Sequence, residues 1–97
     1  QWVALELYRR VSYAKEGSLS YFRTRDGMQI DFILEHAGCL TPIEVKWTEN
    51  PSPKDARHLR TFLKEHPESA TQAYVVCRCP RPAQLADNIT AIPWWML

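Results

Sequence analysis

The run LSYFRTRDGMQIDFILEHAGCLTPIEVKWTE, residues 19–49, decides the fold. Asp26 and Gly27 lie between two β-prone runs, and an Asp-Gly pair in that context is the strongest short-range sequence signal for a hairpin. A second turn at residues 36–38 leads into another run of alternating polar and apolar residues. We therefore predict three strands joined by tight turns, which together form an antiparallel meander.

Two helices are predicted to flank this meander. Residues 1–15 carry an apolar stripe at helical spacing, and the helix that they predict ends near Gly17. The second helix lies within residues 50–66, where Ser52 is a typical N-cap, Pro53 suits the first helical position and Asp55 stands where a capping box places its acid. Its predicted core-facing stripe consists of Ala56, Leu59, Phe62 and Leu63.

Two further strands complete the predicted fold, one in TQAYVVCR (71–78) and one in NITAIPWWML (88–97). Pro93 favours an edge position for the last strand, and Pro42 is expected near the start of the third. The predicted order is helix, three strands, helix, strand, strand. The second helix serves as a crossover, so we predict an α/β (α+β) domain with a mixed sheet.

Composition predicts one globular domain over residues 1–97. Because the chain begins at Gln1 rather than Met, we expect it to be a piece of a longer protein. Twelve basic and eleven acidic residues give a net charge of +1, so any nucleic-acid surface must be local. Residues 1–27 and 54–64 are locally positive, and we interpret both as solvated faces.

Three cysteines without a regular framework favour a reducing cytoplasm over a disulfide-stapled secreted domain. Cys77 and Cys79 form only a weak zinc signal, and we expect them to be small buried hydrophobic residues. The sequence has no run of about 18 apolar residues, so no transmembrane helix is predicted.

Three charged residues interrupt apolar strands. Asp31 stands between Ile30 and Phe32, and Glu44 and Lys46 share one face of the next strand. A carboxylate in such surroundings is costly unless it is paired or binds a metal. If the two strands pair around the turn at 36–38, the two carboxylates become hard oxygen ligands for Mg²⁺, with the lysine beside them. Alternatively, the three residues form a cross-strand ion pair on an exposed face.

An acid followed 13 residues later by Glu44-Val45-Lys46, in this order of helices and strands, resembles the PD-(D/E)xK restriction-endonuclease-like superfamily. Residues 21–66, together with the closing IPWWML, look more narrowly like the C-terminal domain of unknown function attached to a family of prokaryotic AAA-type ATPases. Ile30 replaces the proline of the superfamily motif. The resemblance implies a restriction-endonuclease-like fold and an ATPase module preceding this domain.

The resemblance also implies roles for individual residues. Asp31 and Glu44 match the metal-binding acids, Lys46 matches the catalytic lysine, and Glu6 is similar to the acid that many members add from the first helix. The implied cofactor is Mg²⁺ or Mn²⁺, and the implied reaction is hydrolysis of DNA phosphodiesters. Glu6 has an alternative role as an ion-pair partner on its own helix.

Two further hypotheses belong to other functional classes. The domain is catalytically silent and binds DNA or regulates its ATPase, or it is an oligomerisation module that uses the aromatic residues 93–97 as its interface. We expect Trp47, Trp94 and Trp95 to be core or interface residues. His58 is expected to be structural or solvated, with a contact to the DNA backbone as the alternative.

Overall fold

The computed structural model describes residues 17–23 and 29–96. The predicted first helix, Glu6 and the Asp26-Gly27 turn lie outside the described residues. The described residues form six strands and one α-helix, with a short 3₁₀ turn before the helix and another after the last strand: β1 Gly17–Arg23, β2 Gln29–His36, β3 Cys39–Val45, 3₁₀ turn Pro53–Ala56, α1 Arg57–Glu65, β4 Ala73–Cys77, β5 Ala83–Ala86, β6 Ile89–Pro93 and 3₁₀ turn Trp94–Met96.

All six strands belong to one mixed sheet in the order β1-β2-β3-β4-β6-β5. The first three strands are antiparallel to their neighbours. β4 is parallel to both β3 and β6, and β5 is antiparallel to β6. The predicted meander, the crossover through the second helix and the mixed α/β class are therefore confirmed.

The turn between β2 and β3 fixes the register of both strands. Ala37 and Gly38 have φ values of +53° and +82°, and His36 pairs with Cys39 across the turn. Two consecutive residues with positive φ form the hairpin turn whose twist matches that of the strands. The register that follows places Phe32 opposite Ile43, which brings Asp31 to the level of Glu44.

Helix α1 packs on one face of the sheet, and its start follows the predicted capping pattern. The main-chain N–H of Ser52 donates to the Asp55 carboxylate at 2.9 Å. Leu59 and Phe62 are fully buried against Val75 and Ile89, and Leu63 packs at the margin of this core. A second, smaller core cluster contains Phe32, Ile43 and Val76, with Val45 at its edge.

Phe62→Ala is expected to lower the free energy of unfolding by about 3–5 kcal/mol, because Phe62 is 1% exposed and its removal leaves a cavity beneath α1. The ring also stacks on that of His66, with centroids 4.2 Å apart. Urea denaturation would measure the loss. The exposed neighbour Thr61, changed to alanine, is the control. A loss no larger than that of the control would contradict this packing.

Strand β5 was not predicted, and its residues explain why. Ala83–Ala86 is short, has low β-propensity and lies at the sheet margin, half-exposed to solvent. Its presence makes the edge position predicted for the last strand wrong, because β6 lies between β4 and β5. Pro93 is tolerated there because it ends β6, two residues beyond the pairing of Ala83 with Ala91.

Pro42 also lies deeper in its strand than predicted. It is the fourth residue of β3, is buried and pairs with Ile33 of β2. The parallel ladder to β4 begins only at Ile43, so Pro42 precedes the region in which β3 has a strand on each side. A proline ring in this position removes no hydrogen bond from the β3–β4 ladder.

Trp47, Trp94 and Trp95 are not core residues, contrary to one part of the prediction. Trp47 is 49% exposed, Trp94 is 36% exposed and Trp95 is 58% exposed. Trp47 follows β3 and the other two follow β6, so all three stand at the carboxyl ends of parallel strands. Among the described residues, no helix is long and apolar enough to cross a membrane.

Candidate functional site

Asp31 is anchored to the neighbouring strand by its own side chain. Its Oδ2 atom accepts a hydrogen bond from the main-chain N–H of Val45 at 2.8 Å. Because of this hydrogen bond, the half-buried carboxylate lies against β3, beside Glu44. A hydrogen bond between a main-chain donor and an ionised acceptor is a strong one, so it fixes the position of the carboxylate.

Glu44 is the only buried charged residue among residues 30–96, with 6% of its surface exposed. Its neighbours Ile43 and Val45 belong to the core cluster around Phe32. Because side chains alternate along a strand, Glu44 points to the opposite face, towards α1. Burial raises the pKa of Glu44, and the nearby Asp31 raises it further, whereas Lys46 and His58 lower it.

Lys46 continues β3 by one residue. Its main-chain N–H donates to the Val76 carbonyl at 2.9 Å, which keeps the alternation of β3 in place up to this position. The side chain therefore shares the face of Glu44 but is exposed. Glu44 and Lys46 thus form a buried carboxylate and a solvent-accessible ammonium on the same side of one strand.

His58 is the site residue whose role the sequence did not reveal. Its Nδ1 atom lies 3.5 Å from Oε1 of Glu44. The other ring nitrogen, Nε2, lies 3.4 Å from a guanidinium nitrogen of Arg57, which can only donate. With Nε2 accepting from Arg57, the proton of a neutral ring is on Nδ1 and faces the carboxylate. The only sequence signal for this role of His58 is its position in the crossover helix, which packs on the side of the sheet to which Glu44 points.

A hollow of about 300 Å³ opens above these residues. Four of its lining residues are cations or a histidine and two are acids: Glu44, Lys46, Lys54, Asp55, Arg57 and His58. Five of these six come from the end of β3 and from α1 with its preceding turn, with Lys46 just beyond β3. The hollow therefore combines a desolvated carboxylate with several groups able to bind a phosphate oxygen.

The structure brings three of the four predicted site residues together. Asp31 lies beside Glu44, and Lys46 shares the face of Glu44; Glu6 lies outside the described residues. Residues 17–23 and 29–96 contain no group of three or more metal-binding side chains. Two carboxylates fit Mg²⁺, which commonly takes one or two protein carboxylates and keeps several waters.

The other histidines and the cysteines lie away from this cluster or have structural roles. His66 contacts the Phe62 carbonyl through Nδ1 at 3.0 Å, at the end of α1. Cys77 and Cys79 are buried with their Sγ atoms 2.9 Å apart, which confirms the prediction of burial. Burial, with a contribution from Cys79, raises the pKa of Cys77 to about 11, so its thiol stays protonated at neutral pH.

The fold and the site define a class of protein: a mixed α/β domain with a carboxylate–lysine cluster where a central strand ends. The chain belongs to the DUF4143 family, a domain of unknown function, whose model matches residues 1–97. No curated protein and no solved structure matches the chain significantly. The predicted membership of a family of unknown function is thus confirmed, whereas the PD-(D/E)xK and ATPase relationships stay predictions.

Proposed function

We propose that this domain is a metal-dependent nuclease-like domain that hydrolyses DNA phosphodiesters. The observation that carries the proposal is the buried carboxylate of Glu44, placed beside Asp31 and on the same face as Lys46. A buried acid costs stability unless it is paired or binds a metal, and ionisable groups with perturbed pKa values cluster at functional sites. The resemblance of the Asp31 and Glu44-Val45-Lys46 pattern to the PD-(D/E)xK superfamily supports the same chemistry and a restriction-endonuclease-like fold.

Asp31 and Glu44 are the residues that would hold Mg²⁺ or Mn²⁺. When bound, the metal supplies Lewis-acid polarisation of the phosphoryl group and lowers the pKa of a coordinated water. The hydrogen bond from Val45 holds the Asp31 carboxylate still, which limits the reorganisation needed for ligand binding. Glu6 remains a further predicted ligand.

Lys46 supplies the positive charge that the reaction needs. Phosphodiester hydrolysis places additional negative charge on the phosphoryl oxygens, and a fixed cation beside them stabilises that charge. The ammonium is exposed at the mouth of the hollow, where it can reach a bound phosphate, and its three donors can also orient an attacking water. His58 is a positioning residue, because its Nδ1 lies against Glu44.

The test is a cleavage assay on single-stranded, duplex and branched DNA with Mg²⁺ or Mn²⁺, in which wild-type protein is expected to cleave. Asp31→Asn is expected to abolish cleavage while the protein stays folded, because the amide oxygen still accepts from the Val45 N–H. Asp31→Ala removes that acceptor, so we expect its free energy of unfolding to be about 1–3 kcal/mol lower than that of Asp31→Asn. Folded wild-type protein that cleaves none of these substrates, also when joined to its ATPase, would refute the proposal.

A second candidate function is regulation of a partner by a catalytically silent domain. It is favoured by the exposed aromatic residues Trp47, Trp94 and Trp95, which lie at the carboxyl ends of parallel strands and suit a protein interface. The partners that we propose for this surface are the AAA-type ATPase module implied by the resemblance and a second copy of the chain. The three free cysteines agree with a location in the cytoplasm.

A further inference from the structure

A row of cations follows the outer face of α1. Arg57, Arg60 and Lys64 recur at positions i, i+3 and i+7, so they share one side of the helix, and all three are exposed. Lys54 extends the row into the preceding turn. At 1.5 Å of rise per residue, Arg57 and Lys64 are separated by about 10 Å along the axis.

The four cations of this row form no ion pairs with the carboxylates of the described residues. Residues 50–64 contain one acid, Asp55, whose carboxylate accepts a hydrogen bond from the Ser52 N–H at the start of the helical segment. The near-neutral charge of the whole chain therefore conceals a localised basic stripe.

The row leads into the candidate site. A shallow groove of about 280 Å³ is lined by Arg57, Arg60, Thr61 and Lys64. Arg57 also lines the hollow that contains Glu44 and Lys46. Arg57 therefore borders both depressions, which places the groove next to the hollow that contains Glu44. The hydroxyl of Thr61 donates to the Arg57 carbonyl at 3.2 Å, so the ligand-binding groups of the groove are its cations.

We propose that Lys54, Arg57, Arg60 and Lys64 form a track for the phosphate backbone of the polynucleotide whose scissile bond lies at Asp31 and Glu44. The inference rests on the proposed function and specifies how its substrate approaches, along α1. Cations without a base-reading groove contact phosphates irrespective of sequence, so binding through the track is sequence-independent and salt-dependent. A solvated helix face, by contrast, contributes nothing to binding.

The test measures DNA binding separately from cleavage. A fluorescent oligonucleotide is titrated with the full chain carrying Asp31→Asn, and anisotropy is recorded over a series of salt concentrations. The same titration is made after Arg60→Gln and Lys64→Gln are added together. The control pair is Arg78→Gln and Arg81→Gln, two exposed cations that follow β4 and are not part of α1, so the same charge is removed without changing the row.

We expect the track pair to weaken binding several-fold at low salt and to reduce the slope of log K against log salt by about 1.5. The control pair is expected to leave both quantities close to those of the parent. Equal effects of the two pairs, or no binding by the parent, would overturn the inference. An acidic peptide that binds as tightly and with the same dependence on Arg60 and Lys64 would assign the row to a protein partner and overturn it too.

This binding assay can fail independently of the cleavage assay. Loss of binding in the track pair, with no cleavage by wild-type protein, would retain the polynucleotide track and reject the hydrolytic proposal. Cleavage that requires Asp31, with binding that is insensitive to the track pair, would retain the nuclease and reject the track.

Discussion

Lys46→Ala is expected to lower metal-dependent DNA cleavage by about 10²–10³-fold, the usual loss when one preorganised charge-stabilising group is removed from a transition state. The fold should not change. Lys46 is exposed, and its link to β4 is made by the main-chain N–H, which alanine keeps. Single-turnover cleavage at saturating Mg²⁺ measures the effect, because saturation separates the chemical step from any change in metal affinity.

Two variants control the Lys46 experiment. Arg81→Ala removes one positive charge from an exposed position after β4 and is expected to cleave like wild type. Lys46→Arg keeps the charge but replaces a compact ammonium with a planar guanidinium, so it should restore only part of the activity. Full activity in Lys46→Ala, with normal folding, would show that Lys46 has no catalytic role.

The residues that fixed the correct predictions act locally. The turn at Ala37 and Gly38 defines the β2–β3 register, and Ser52 with Asp55 defines where the helical segment begins. These signals operate through backbone conformation and short-range hydrogen bonds, so they can be identified without tertiary information. The same register brings Asp31 to Glu44, and for that reason the pair was predictable from the sequence.

The features that sequence analysis missed depend on tertiary packing. β5 forms because β6 offers it a partner, although Ala83–Ala86 has little strand preference of its own. His58 contacts Glu44 because α1 packs on the face of the sheet that carries Glu44, which no local pattern encodes. The sequence of the stripe from Arg57 to Lys64 is that of an ordinary solvated face, and only the structure shows that Arg57 also lines the hollow of Glu44 and Lys46.

Glu44→Gln is expected to abolish metal-dependent cleavage and, in the presence of a chelator, to make the domain more stable than wild type at neutral pH. Burial raises the pKa of Glu44 above its ordinary 4.5, so the folded state favours the protonated form. The stability contributed by that proton is complete below the unfolded pKa and is lost as pH rises through the folded pKa. Glutamine mimics the protonated acid at every pH and avoids the loss.

Urea denaturation over a pH series tests the sign of this effect. The stability gain of Glu44→Gln should be largest near pH 7 and disappear below about pH 4.5, where wild-type Glu44 is itself protonated. The exposed Glu35 of β2, changed to glutamine, is the control and should show no such gain.

Added Mg²⁺ should stabilise wild type and leave Glu44→Gln unchanged, since a ligand stabilises only the state that binds it. A Glu44→Gln protein less stable than wild type at neutral pH would mean that the carboxylate is a structural ion-pair partner of Lys46 and His58, and the metal site would have to be abandoned.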